Sequence, residues 1–332
     1  MKNKQMIFII FFLLAIISIL MYLFFWMATT SYDLFPTDPN RRQMMQQAII
    51  NIVERRFYQM AAMIVSAILI ASTALVFQTL TQNRILTPSL IGFDAVFVTI
   101  QTAIVFFLSS QSIFYLNPYY NFFLASGVMI ITTLMMYKAI LKNNRNHIIF
   151  LLLVGMVLTT FSRSLASFLQ TLMDPQEFQS LVIRTEVSIS NMNTGIIIIA
   201  VPILVVILAL IVKEHKALDV MALGEHQAMG LGVSYAKKMN LSLIYIALAM
   251  SLTTAMIGPI SFLGLIAVNS AREMLKTYKH LPLMVLSSLI AIVFLVLGQT
   301  VIIETGYITT VTVLISMIGG AYMIYLVLKE NA

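Results

Sequence analysis

Apolar residues in this chain come in long runs separated by short polar stretches. The runs lie near 6–27, 57–80, 92–108, 119–141, 148–172, 193–212, 239–257, 260–275, 282–303 and 308–328. A bilayer core takes about 20 apolar residues per helical crossing. The pattern therefore predicts an all-α polytopic membrane protein with about ten transmembrane helices, forming a single transmembrane domain over 1–332. The breaks carry helix punctuation at Pro36, Pro39, Pro88, Asn117-Pro118, Asp174-Pro175, Gly258-Pro259 and Pro282. The eighth run is short and reads as interrupted at Gly264. Broken backbone is tolerated in a membrane only where protein or a water-filled cavity satisfies its polar groups. The first run has no small-residue cleavage site before Tyr32-Asp33, so it reads as an anchor, not a removed signal peptide.

One polar segment, 213–238, stands out between the sixth and seventh runs. It contains Leu223-Gly224-Glu225-His226-Gln227-Ala228-Met229-Gly230-Leu231-Gly232. A second string, Gly258-Pro259-Ile260-Ser261-Phe262-Leu263-Gly264-Leu265, follows after the seventh run. Such a polar, helix-forming segment ending in glycines calls for an aqueous partner.

Composition agrees with the class: the chain is 60% hydrophobic and 10% charged. The net charge of +7 sits in short loops with no dense basic stretch, which argues for topology determinants and against nucleic acid. Cations favour the cytoplasmic side. With the amino terminus inside, alternation puts most Lys and Arg inside and leaves Arg41, Arg42, Arg55, Arg56 and Arg184 outside. An even number of spans puts both termini in the cytoplasm, makes 213–238 cytoplasmic, and makes 33–56 and 173–190 external.

Candidate catalytic chemistry is sparse. The chain has no Cys, no phosphate-binding Gly-Lys-Ser/Thr loop, no His-Glu-x-x-His and no Gly-x-Ser-x-Gly. The histidines 147, 215, 226 and 280 are far apart in sequence and read as solvated surface groups, so neither a metal site nor a cofactor is expected. Asp94 and Glu304 fall near span ends, away from the mid-span position a proton-coupling carboxylate needs. Arg163 is different, since it falls midway along the fifth span. It has two readings: a contact for an anionic solute in a pathway, or a side chain that pairs locally or snorkels outward. The external arginines 41, 42, 55 and 56 likewise have two: docking of an acidic partner, or solvation among lipid headgroups.

The two strings carry a resemblance. LGEHQAMGLGV resembles the cytoplasmic coupling segment of FecCD-type permeases, the membrane subunits of bacterial ABC importers for iron chelates, haem and cobalamin. The residues that match are Leu223, Gly224, Glu225, Ala228, Leu231, Gly232 and Val233. The family's Gly-Pro-Ile-x-Phe-x-Gly-Leu reappears at Gly258, Pro259, Ile260, Phe262, Gly264 and Leu265. A third pattern resembles Gln78, Leu80, Thr81 and Asn83, then Pro88, Leu90 and Gly92. The resemblance covers nearly the whole chain.

It implies a permease fold of the type II ABC importer class and a set of partners. These are two cytoplasmic ABC ATPase subunits, a second permease subunit (identical or homologous), an extracytoplasmic siderophore-binding protein and surrounding membrane lipid. Leu223, Gly224, Glu225, Ala228, Met229, Leu231 and Gly232 would form the ATPase-coupling surface. Arg163, Asn191, Asn193, Gln78 and Phe262 would line the substrate pathway, and Arg41, Arg42, Arg55 and Arg56 would dock the binding protein. ATP hydrolysis would belong to the partners, so the chain itself is not an enzyme.

Departures point to a branch. Ala267-Val268-Asn269-Ser270-Ala271-Arg272 replaces the common Val-Pro-His-x-x-Arg, which resembles permeases for catecholate and citrate-catecholate siderophores. The external Arg-x-x-Arg survives only as Arg56 with Gln59. The segment Ser188-Ile189-Ser190-Asn191-Met192-Asn193 either lines the cargo mouth or caps the sixth span. The expected cargo is a ferric siderophore. A haem or cobalamin-type chelate is the alternative, with a proton-coupled transporter behind it and a membrane-embedded enzyme third.

Overall fold

The computed structural model describes residues 2–29, 38–143, 148–185, 189, 192–306 and 309–330. Among them, each predicted run falls on one helix. These are α1 (Lys2–Thr29), α2 (Pro39–Thr81), α3 (Phe93–Leu108), α5 (Pro118–Asn143), α6 (Ile148–Thr171), α8 (Thr194–Lys213), α11 (Tyr235–Ile257), α12 (Leu263–Leu275), α13 (His280–Glu304) and α14 (Val311–Glu330). Four short helices join them: α4 (Ile113–Leu116), α7 (Pro175–Thr185), α9 (His215–Met221) and α10 (Glu225–Gly230). Seven of the long helices are long and apolar enough to cross a membrane, while α3 and α14 are shorter apolar helices.

Helix ends follow local chemistry. Asp38 caps α2, its carboxylate accepting from the Asn40 backbone N–H at 3.0 Å, with Pro39 in the first turn. Asn193 caps α8, its Oδ1 accepting from the N–H groups of Gly195 at 2.9 Å and Ile196 at 3.3 Å. Gly258, at φ +88°, ends α11.

The hydrophobic pattern missed four features. First, α2 is 43 residues long, about 65 Å at 1.5 Å per residue against a bilayer core of about 30 Å. Residues 39–56 are polar enough to look like a loop, yet they are rich in Arg, Gln, Met and Ile, and Asp38 starts them as a helix. Second, the polar stretch after the fifth run holds α7 (Pro175–Thr185). Third, the interruption near the eighth run is not at Gly264, which is helical; it is the non-helical stretch 258–262, where Phe262 has φ +63°. Fourth, a 3₁₀ turn, Pro88–Ile91, precedes α3.

The bundle centres on α2, α11 and α13, which are mostly buried, while α1, α5, α6 and α8 are mostly exposed around them. Small residues let helices close in. A side chain at Gly264 would stand 2.6 Å from the Ala74 Cβ and 2.9 Å from the Ile70 carbonyl, so α12 meets α2 through glycine.

Candidate functional site

One end of the bundle carries α9 and α10. Gly224 (φ +95°) and Gly232 (φ +84°) bracket α10 in conformations that favour glycine. Ala228 is fully buried and fastens α10 to the rest of the chain. Leu223, Met229 and Leu231 are 52%, 50% and 64% exposed. A polar segment that hides its alanine and presents three large apolar side chains is a candidate docking surface. A Cβ at Gly224, Gly230 or Gly232 would meet no atom within 4 Å, so space at this surface is open. Glu225 stands at the first position of α10.

Behind that surface lies a hydrogen-bonded hub. Asp219 of α9 accepts at one oxygen, Oδ1, from the His280 backbone N–H at 2.6 Å and from the His280 ring at Nδ1, 2.7 Å away. The other ring nitrogen of His280 lies 2.7 Å from the Thr79 hydroxyl on α2. His280 is 1% exposed, so the reading of all four histidines as solvated fails here: its ring closes the junction of α9, α13 and α2. Gln82 adds a second tie, donating to the carbonyls of Thr79 at 2.8 Å and Met221 at 3.3 Å. Glu214 and Lys238 pair at 2.5 Å, joining the end of α8 to the start of α11.

The second feature runs along α6. Thr160, Arg163, Ser164, Ser167 and Thr171 are all exposed, and their spacing of three and four residues puts them on one face. The hydroxyls of Thr160 and Thr171 bond back to the Met156 and Ser167 carbonyls at 3.0 and 2.9 Å. Arg163 makes no hydrogen bond or close ion pair among the described residues. A cation at such a depth is costly against lipid, about 2.5–3.5 kcal/mol on insertion scales. This stripe therefore suits water or another protein and not acyl chains.

Asp94 belongs to the same region and corrects a sequence expectation. It is near a span end in sequence, but α3 starts deep in the bundle. A side chain at Gly92 would meet the Thr159 hydroxyl, and one at Gly155 would meet Ile91. Thr159 lies about 16 Å along α6 from Ile148, roughly half a bilayer core. Asp94 Oδ2 accepts from the Ser261 hydroxyl at 2.5 Å, linking α3 to the broken stretch before α12. Asp94 Oδ1 is buried with no hydrogen-bond partner. Asp94, Arg163, Ser167 and Gln170 share a cavity of about 270 Å³ between α3 and α6. Sequence reasoning missed this carboxylate because depth depends on the short turn at 88–91, which hydropathy does not reveal.

The third feature is a mouth at the opposite end. A cavity of about 570 Å³ is lined by Arg55, Arg184, Tyr115, Asn121, Asn193, Phe97 and Phe122, among others. No carboxylate lines it among the described residues. The Arg184 guanidinium stacks over the Tyr115 ring at 5.1 Å. Burial pushes the Arg184 guanidinium below its ordinary range, with Tyr115 opposing. Burial likewise pushes the Tyr115 hydroxyl up, with Arg184 opposing, and that hydroxyl donates to the Ser180 carbonyl at 2.5 Å. The sequence reading set Arg184 among the external arginines without a role; its place in the cavity depends on α7.

The remaining predicted residues scatter. Arg41 and Arg42 are exposed on the first turn of α2, and Arg56 is held against α1, donating to the Tyr22 carbonyl with its guanidinium 5.3 Å from that ring. Gln78 is buried and donates to the Arg84 carbonyl at 2.7 Å, bracing the turn after α2. It lines neither cavity. Phe262 stands against Gly319 of α14. Asn193 caps α8 and lines the 570 Å³ cavity. Asn191 lies outside the described residues.

Residues 6–329 match the FecCD transport family. The chain belongs to that family. It is 41% identical over 278 residues to the petrobactin import system permease protein YclO of Bacillus subtilis, covering 83% of this chain and 88% of that one. It is 29% identical over 286 residues to the petrobactin import system permease protein FatC of Bacillus anthracis, covering 86% and 81%. A solved structure described as an inward-facing metal-chelate type ABC transporter superposes with a TM-score of 0.80 at 20% identity, covering 98% of this chain and 99% of that one. At that identity the likeness speaks for the fold: a FecCD-family, multi-pass, all-helical membrane protein of the type II importer permease class.

Proposed function

We propose that this FecCD-family chain is the permease subunit of an ATP-driven importer that takes a ferric siderophore from an extracytoplasmic binding protein into the cytoplasm. The observation that carries this reading is one of arrangement. A chain matching the family over 6–329 presents an apolar, glycine-bounded surface at one end and a cationic mouth at the other. The two relatives named as petrobactin permeases favour that siderophore, which is of the catecholate type.

In this reading α9 and α10 face the cytoplasm, as do both termini, and two ATPase subunits seat on Leu223, Met229 and Leu231. The polar face of α6 meets its counterpart on a second permease subunit, and the space between them is the pathway. Arg163 then faces an anionic chelate in a low-dielectric passage, where a charge-assisted contact is strongest. The binding protein docks at the mouth end, with Arg41, Arg42 and Arg55 on the protruding part of α2 as its cationic contacts. Arg56, held by Tyr22, fixes the angle at which that extension leaves the bundle. Arg55 and Arg184 attract the cargo toward the mouth.

The test is stimulation of ATP hydrolysis in the reconstituted complex by the loaded binding protein, across a panel of ferric catecholate, ferric citrate, ferric hydroxamate, haem and cobalamin. Stimulation is expected with the ferric catecholate, at least about tenfold above haem or cobalamin at equal loading. Stimulation by haem or cobalamin alone would move the substrate assignment to that chelate.

A further inference from the structure

We propose that His280 is a positioning residue that carries movement of the coupling segment to α2 and α13. The inference rests on the reading of α9 and α10 as the ATPase-docking segment, and adds the route by which a stroke leaves it.

A segment that only packs against the bundle can slide when pushed, whereas a buried, directional hydrogen-bond chain transmits displacement. Asp219 sits on α9, behind the exposed side chains of Leu223, Met229 and Leu231, and as an acceptor-only carboxylate it places a proton on His280 Nδ1. It also takes the first backbone N–H of α13, a helix whose own preceding residue, Lys279, supplies no side-chain cap. One carboxylate oxygen therefore holds both the start of α13 and its first side chain. With its proton on Nδ1, the ring accepts at Nε2 from the Thr79 hydroxyl in the last turns of α2, 2.7 Å away, the Leu75 carbonyl at 3.0 Å being the other acceptor within reach of that single proton. The His280 side chain is 2% exposed and that of Asp219 24%, so water competes little for the links at the ring. α13 and α2 pack on each other at the centre of the bundle, so a displacement that enters at Asp219 reaches the core directly.

No catalytic role fits this Asp-His-Thr chain, even though its connectivity is that of a nucleophilic triad. The Thr79 hydroxyl is buried, and neither described cavity opens onto it. Transmission is the use that its position favours.

The test uses the full complex in proteoliposomes, with His280→Gln, Asp219→Asn and the near-isosteric Thr79→Val, and reads cargo imported per ATP hydrolysed. ATPase association and hydrolysis are expected to stay within about twofold of the parent. Cargo per ATP is expected to fall by about tenfold, the scale on which one charge-assisted hydrogen bond acts. His280→Gln combined with Asp219→Asn should be no worse than either alone, because both cut one route. A parent-like ratio in His280→Gln and Thr79→Val overturns the proposal. So does a parallel loss of assembly, hydrolysis and uptake in all three, which would make the hub a structural brace. Gly230→Trp, measured in parallel, separates the two levels of the argument. If it leaves ATPase association intact, the docking assignment falls and the proposal with it. If it weakens association while His280→Gln keeps its ratio, only the His280 proposal fails.

Discussion

Gly230→Trp is expected to weaken association of the permease with its ATPases by about thirtyfold or more, with little change in the stability of the permease itself. A Cβ at Gly230 meets no atom of this chain within 4 Å, and its backbone is helical without a positive φ. The substitution therefore creates no internal clash, and losing a helical glycine is mildly favourable in the free chain. The indole instead projects beside the exposed side chains of Met229 and Leu231. If those side chains fill a partner groove, the indole blocks it; a central interface residue is typically worth about 2 kcal/mol or more, which is about thirtyfold. Leu231→Asp should act in the same direction by putting a charge into an apolar contact. Co-purification of the ATPases and thermal unfolding of the isolated permease separate the two effects. Intact association in both variants would count against docking at α10.

Arg163→Gln is expected to lower uptake of an anionic ferric chelate by about tenfold to a hundredfold, as for loss of one or two charge-assisted contacts. Arg163→Lys should recover part of it, since the charge is kept and the planar donor fork is lost. Stability should fall only modestly, because Arg163 makes no hydrogen bond or close ion pair among the described residues and acts on the chain through its charge on the Asp94 carboxylate, which shares its cavity. The sign matters: removing a cation from a lipid-facing surface would relieve an insertion cost, while removing it from an anion pathway costs transport. Uptake of an uncharged chelate is the control and should be unaffected. Equal loss for charged and uncharged chelates would assign Arg163 to packing and not to cargo.

The ten helices were legible in the sequence because each buries its own backbone hydrogen bonds in a run of apolar residues, a signal that needs no tertiary information. The polar segment that carries α9 and α10 was legible for the opposite reason, as polarity and glycine in a chain otherwise built for lipid. What hydropathy could not give was depth and direction. Asp94 looked peripheral because it opens a helix, yet that helix starts beside Thr159 in the middle of α6. His280 looked solvated because it flanks a span, yet Asp219 and Thr79 enclose it from two other elements. The α2 extension looked like a loop because helix formation there depends on the Asp38 cap and local propensity, not on apolar burial. Periodicity did suffice for α6 in retrospect: the stripe from Thr160 to Thr171 is visible at spacings of three and four once the helix register is fixed.

The central claim is that ATP binding and hydrolysis at the α9–α10 end drive a ferric siderophore through this permease. The most direct measurement is uptake of ferric petrobactin into proteoliposomes holding the permease, its ATPases and the loaded binding protein, with and without ATP, and with the proton gradient dissipated. Uptake is expected to require both ATP and the ATPases and to continue when the gradient is gone. Uptake that persists without the ATPases and stops when the gradient is dissipated would contradict the account and make the chain a proton-coupled transporter.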